Sequence, residues 1–398
     1  MQKLFLVILL FISSFGLSGQ ERMISLNEAI DSALKSHPQL QLSQQEVEQQ
    51  KALKKGSFNL QNPDVWIESP TTTKFTLGVQ QTFDSPFSYI RQSKLAKSDI
   101  KLAEIGLTTS KIQLVRDVKI AYLNLQFSEL KVKQLAYQDS IFKSFSTAME
   151  KQFNTGETDL LAKVSAETKS KEISNQLMQA QADLLNDQFQ LKVIMGIKDE
   201  NIKTSETLVK IAPDPANIEI IDTSVIKSSP FLQYYQQNII SNSQALKLER
   251  SRLAPGLMVG YLNQGDVNSQ KLYRFQFGLS VPIWFWTYSS QIKAANIRLQ
   301  MANSQYTLAT INYSKEYQQA LTDYKKNYYS LIYFETNALN QADTIIDITE
   351  KLSVAGEIGY FIYLQSLNQA FEIKMNYYET LRNYNQSAIE LNYLKGQL

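Results

Sequence analysis

From Ser88 to Phe153 the chain contains no proline and a single glycine, Gly106. Its polar positions are mostly Lys, Gln, Glu and Ser, which suit or tolerate a helix. A continuous helix of about 65 residues would be about 100 Å long, against a small-domain diameter of about 30 Å. Such a rod does not fit the wall of an ordinary globule. A second stretch, Ser289 to Leu352, lacks both proline and glycine. The chain must therefore fold into something that uses two long rods.

The apolar positions of the first rod show which faces it buries. One set is Ile112, Val115, Val118, Tyr122, Leu125, Val132 and Leu135. A second, mostly seven apart, is Leu114, Ala121, Leu135, Phe142 and Met149. A third is Leu123, Leu130 and Tyr137. These spacings are helical. They cover more than one narrow seam, so the helix expects neighbours on both sides, as in a curved wall. In the second rod Tyr306, Tyr317 and Tyr328 are spaced by eleven, with Tyr313 and Tyr324 interleaved, a period near that of a straight helix. Plain core packing is the simplest role for that stripe.

Residues 1–19 read as a secretory leader, with Lys3 before the apolar run Leu4 to Ile12 and small residues before Gln20. That run is too short to span a membrane as a helix, and nothing later approaches the length needed. Strands remain available to an exported chain for crossing an outer membrane. The 398-residue sequence has no cysteine, which excludes disulfides, thiolate metal sites and a lipidated N-terminal cysteine. Net charge is +2 and no basic block stands out, so nucleic-acid binding has no electrostatic support.

Beyond the leader the chain divides into two internal repeats, 20–208 and 209–398. Ser25, followed three residues later by Glu28, predicts a capping box, and Pro38 separates that helix from a second one running to about Lys55. A strand pair is expected over about 63–84. In it Phe75, Leu77, Val79 and Gln81 share one face and Thr76, Gly78, Gln80 and Thr82 the other, as suits a strand between lipid and a wet lumen. An ordinary hairpin on a soluble domain has the same alternation. The long helix follows at about 88–153, then a turn at Gly156 and a return helix over about 158–195, with Thr158 or Asp159 as its cap. After a linker rich in Pro, Asp and Asn the order repeats. Ser32–Gln41 is echoed by Ser224–Gln233, and Phe75 and Gly78 by Phe275 and Gly278. The second strand pair is expected at about 256–284, its long helix at about 289–352, a turn at Gly356, and a return helix at about 358–396.

With these features the chain resembles outer-membrane efflux proteins of the TolC type. The resemblance rests on the opening Ser25 to Pro38, its echo at Pro230, the two strand pairs and the turns at Gly156 and Gly356. It covers essentially the whole mature chain. It implies a mainly α fold with a membrane β-barrel. In the family, a homotrimer forms an α-helical barrel across the periplasm and a 12-stranded β-barrel in outer-membrane lipid, four strands per chain. Four strands are too few to close alone, which agrees with an oligomer. The resemblance further implies partners: a periplasmic adaptor (membrane fusion protein) touching the turns, and an inner-membrane resistance-nodulation-division pump behind it. The tail from Gly356 to Gly396 most resembles members serving heavy-metal pumps of that class.

Site expectations follow from this. Gly156, Glu157, Asp159, Gly356 and Glu357 are the expected periplasmic tip and adaptor contact. Glu157, Asp159 and Glu357 are candidates for a cation-selecting mouth; capping and complementing helix N-termini is the alternative role. Alignment on Gly356 puts Ile362 and Gln365 where some relatives carry acidic rings. Trp66, Trp284 and Trp286 are candidate membrane-interface aromatics, with core packing as the alternative. No catalytic residue, metal site or cofactor is expected: the only histidine, His37, precedes a proline, and no phosphate loop, zinc motif or nucleophile elbow is present. The competing reading is an exported coiled-coil scaffold or adhesin, which accounts for the rods but not for the strand pairs. Exit ducts for drugs or for a type I secretion substrate are other variants of the channel reading.

Overall fold

The computed structural model describes residues 22–71, 74–198, 201–211, 229–266 and 272–397. The expected leader, its cleavage point and most of the linker after Ile211 lie outside them. In chain order the elements are β1 (Arg22–Ile24), α1 (Leu26–Ser36), α2 (Pro38–Lys55), β2 (Asp64–Thr71), β3 (Lys74–Phe83), α3 (Pro86–Thr155), α4 (Leu160–Met195) and β4 (Ile202–Thr204). There follow α5 (Pro230–Ser251), β5 (Gly256–Asp266), β6 (Leu272–Ser280), α6 (Phe285–Tyr333), a π-helical turn (Phe334–Ala338), α7 (Leu339–Val354) and α8 (Tyr360–Leu394).

Local chemistry sets several boundaries. The Ser25 hydroxyl accepts from the Glu28 N–H at 3.2 Å and caps α1. The Glu28 carboxylate, which a capping box would turn back to Ser25, instead takes the Arg22 guanidinium at 2.5 Å. A charged donor nearby outcompetes a backbone amide. His37 is extended (ψ 124°) because the ring of Pro38 disfavours helix in the residue before it. Pro38 then opens α2, where its missing N–H costs nothing. The second rod carries a π-helical turn between α6 and α7, one wider turn within helical backbone. Glu335 in that turn reaches Lys210 at 2.8 Å, a contact that no helical periodicity announces.

The chain divides into two compact units. One comprises Met1–His37, Lys111–Ile221 and Glu316–Leu398; the other comprises Pro38–Ser110 and Asp222–Lys315. The first is helical with a short parallel pair, β1 on β4. Val118, Tyr122 and Leu125 are buried, and the Tyr122 hydroxyl donates to the Ile24 carbonyl at 3.0 Å. The Glu129 carboxylate receives both the Thr204 N–H (3.0 Å) and its hydroxyl (2.5 Å). Asn385, 2% exposed, holds the next stretch: it accepts from the Ile211 N–H at 3.0 Å and donates to the Val209 carbonyl at 2.7 Å. Leu114, Ala121, Leu135, Phe142 and Met149 are all buried, and Phe142 joins Ile173, Leu367 and Phe371 in one cluster. Tyr313, Tyr317 and Tyr324 are buried too, so that part of the tyrosine stripe is core.

In the second unit, hydroxyls and amides tie helix to helix. Ser43 donates to Ser110 at 3.0 Å, Gln237 donates to Ser98 at 2.9 Å, and Ser241 donates to the Asp99 carboxylate. Its sheet has four antiparallel strands in the order β2-β3-β5-β6, so β3 and β5 join the two strand pairs into one surface.

Candidate functional site

Two places carry the functional expectations, the sheet in one unit and the helical turns in the other. The strand register assigns the faces of the sheet, because directly paired residues in antiparallel strands lie on the same side. Val65 pairs with Val79, Val79 with Tyr261, and Tyr261 with Phe275. Ile67 with Leu77, and Leu257 with Leu279, extend this face, which also carries Val259 and Phe277. Most of these side chains are exposed, Ile67 at 76% and Phe277 at 79%. A contiguous apolar face of this kind marks a surface meant for lipid or protein rather than water. The other face carries Asp64, Trp66, Glu68, Thr76, Gly78, Gln80, Arg274, Gln276 and Ser280, with Met258, Gly260 and Leu262 of β5 among them, so it is the more polar of the two. The alternation is that of a strand between an apolar phase and a wet one. Among the described residues no helix is long and apolar enough to cross a membrane.

The aromatic residues divide. Trp66 lies on the polar face, its indole over Gly78, and not beside Val65 and Ile67. Met258 repeats the arrangement over its own partner, Gly278. In both pairs a large side chain needs a partner without a Cβ. Trp284 and Trp286 follow β6, at the start of α6. Their rings meet edge-on at 5.0 Å and are 61% and 56% exposed.

The two turns have the same backbone. Gly156 and Gly356 sit in the left-handed region at φ 77° and 72°. Gly156 N–H donates to the Phe153 carbonyl (3.1 Å) and Glu157 N–H to Gln152 (2.8 Å). Gly356 N–H donates to Ser353 (3.2 Å) and Glu357 N–H to Leu352 (2.9 Å). This pairing of bonds is a Schellman motif, and it uses up carbonyls the helix ends leave free. The turns differ three residues on. Asp159 caps α4, its carboxylate accepting from the Ala162 N–H at 2.7 Å, whereas the cap of α8 is Gly359, with no side chain to offer. All three expected mouth carboxylates are exposed, and Asp159 is the one that also serves a helix end. Leu160 and Leu161 on one turn, and Val354 and Phe361 on the other, are exposed apolar side chains that no sequence pattern marked; Ile362, at a position where some relatives carry acidic rings, is exposed beside them. Further along, α3 and α4 share a buried polar link. Asp139 receives the Lys143 ammonium at 2.7 Å and the Ser174 hydroxyl. Burial alone would raise this carboxyl's pKa, but the two donors outweigh it and hold it below the usual range.

No family model and no curated protein matches this chain. Solved structures do. The Campylobacter jejuni CmeC outer membrane channel superposes with a TM-score of 0.80 at 15% identity, covering 93% of this chain and 85% of that one. CusC, described for conformational changes accompanying folding and transmembrane channel formation, gives 0.78 at 16%, covering 96% of each. The open state of the Neisseria gonorrhoeae MtrE outer membrane channel gives 0.75 at 12%, covering 94% and 89%. The chain thus has the fold of these channel proteins, over nearly their whole length.

Proposed function

We propose that this protein is the outer-membrane exit duct of a multi-component export system, spanning from the outer membrane into the periplasm, and that it is not an enzyme. The observation that carries this reading is the four-stranded sheet with one exposed apolar face and one polar face. An open sheet in lipid leaves edge N–H and C=O groups unpaired, at several kcal/mol per group by the usual estimate. Closure with further copies removes the edges, and three copies of four strands make a twelve-stranded barrel. The fold shared with CmeC, CusC and MtrE supports the same reading.

In this proposal each half of the chain supplies one strand pair and one helical hairpin. The turns at Gly156 and Gly356, with Glu157, Asp159 and Glu357, form the periplasmic mouth. The exposed Leu160, Leu161 and Phe361 suit docking to a periplasmic adaptor, which in turn meets an inner-membrane pump. A heavy-metal pump of the resistance-nodulation-division class is the narrower partner, supported by the resemblance of residues 356–396. The carboxylates exposed at the turns, Glu157 and Glu357 above all since Asp159 also caps α4, suit cationic cargo.

The test is the location and native mass of the protein. A trimer extracted from outer membranes in mild detergent, conducting ions in a planar bilayer, is the expected result. A soluble periplasmic monomer or dimer would overturn the channel and favour an exported coiled-coil scaffold.

A further inference from the structure

The sheet ends on β2 at one edge and β6 at the other, and neither edge has a further partner among the described residues. Strand direction alternates at every step from β2 to β6, so β6 of one copy and β2 of another meet antiparallel. The two edges also differ in charge. Asp64 and Glu68 are the only charged residues of β2, and Arg274 is the only one of β6. All three are exposed, and among the described residues none has a hydrogen-bond or ion-pair partner. All three lie on the face opposite Val65, Ile67, Val79 and Phe275.

We propose that β6 docks on β2 of a second copy of this chain and that Arg274 pairs there with the carboxylates of the partner's β2, Asp64 or Glu68. This rests on the channel reading above. The register supports it. Trp66, Gly78, Leu262 and Arg274 form one row across the sheet, and Asp64 and Glu68 flank Trp66 on the same face. Copies that keep the polar face continuous can meet only at even offsets from this row. At zero offset Arg274 faces Trp66 with both carboxylates diagonal to it. An offset of two puts it opposite one of them, and an offset of four leaves one diagonal. A long side chain reaches both positions. Barrel strands tilt by about 35–45°; near the lower figure, four strands about 4.8 Å apart advance by about four residues per copy, within that range. An exposed ion pair adds little stability, so its role is to select register and partner edge.

The chain has no cysteine, which makes thiol cross-linking clean. Arg274→Cys combined with Glu68→Cys, and separately with Asp64→Cys, is treated in detergent-extracted protein with a bismaleimide of about 8 Å span, matched to a diagonal pair. One of the two pairs should give an intermolecular link, and Arg274→Cys with Val65→Cys, on the other face, should not. In parallel, Arg274→Glu should lower the temperature at which the multimer dissociates, and adding Glu68→Arg or Asp64→Arg should restore it. A multimer that persists with no link in either pair and no rescue overturns the seam and leaves the channel standing. A wild-type chain that is monomeric in the membrane overturns both.

Discussion

The indole of Trp66 covers Gly78 across the β2–β3 pair so closely that a Cβ added to Gly78 would lie 2.3 Å from the ring. Gly78→Ala must therefore push the indole out over the polar face. The expected cost is about 1–3 kcal/mol of thermal or denaturant stability, as for overpacking elsewhere. Trp66→Ala with Gly78→Ala should recover much of it. In a Trp284→Phe/Trp286→Phe background the single substitution should also shift tryptophan emission. An unchanged spectrum would mean that the ring does not rest on Gly78.

The turn glycines should be costly to replace. Gly156→Ala and Gly356→Ala place a side chain in the left-handed region, at about 1–2 kcal/mol each. Asp159→Ala should cost about 1 kcal/mol through its cap, whereas Gly359→Asp adds a cap and should gain a few tenths. Thermal denaturation of the four variants orders them, and equal effects at Asp159 and Gly359 would refute the asymmetry.

Asn385 holds two buried main-chain groups at once. Asn385→Ala strands the Ile211 N–H and the Val209 carbonyl, for an expected loss of about 2–4 kcal/mol. Hydrogen exchange should rise first in residues 205–211. Asn385→Asp keeps an acceptor for Ile211 but loses the donor to Val209, so it should fall between Asn385→Ala and the wild type.

Asp139 makes the stability of the α3–α4 pair depend on pH. Its folded pKa is held down by Lys143 and Ser174, so the folded state binds the proton less readily than the unfolded state. The stabilisation is present above the unfolded value, about pH 4, and is lost as pH falls through the folded value. Asp139→Asn should cost about 1–2 kcal/mol near pH 7, and that cost should shrink as pH falls through the folded value. A penalty that does not change with pH would contradict this.

Phe145 and Tyr363 stack at 5.4 Å, joining α3 to α8. If the mouth opens by an iris-like separation of the helices near the two turns, this contact must break. A Phe145→Cys/Tyr363→Cys cross-link should then abolish transport, with activity restored by reductant. Undiminished transport in the cross-linked protein would exclude that motion.

Much of the fold was legible in the sequence because its signals are local. A long run without proline or glycine reads as helix, and the structure has 70 residues of α3 there. Leu77 and Val79 alternate with Gly78 and Gln80, and the register puts them on opposite faces. The sites were less legible. Asn385 and Lys210 stand in segments whose pattern names no partner, and the sequence does not show that the Trp66 ring rests on Gly78. The charge of Glu28 went to Arg22 and not to its own helix cap.

What the sequence determined by itself was helix, strand alternation and turn. Helical bonds run only four residues, the Schellman bonds at Gly156 and Gly356 three to five, and side-chain facing in a strand has a period of two. What only the tertiary structure decided was which of these elements meet. The β3–β5 pairing joins Phe83 to Leu257 and thereby sets the whole order β2-β3-β5-β6. It decides that Asp64 and Glu68 stand at one edge and Arg274 at the other. No local pattern encodes a contact closed over such a separation, because it is stable only once helices α3 and α5 pack together and offset the entropy of bringing the ends of that long loop into register.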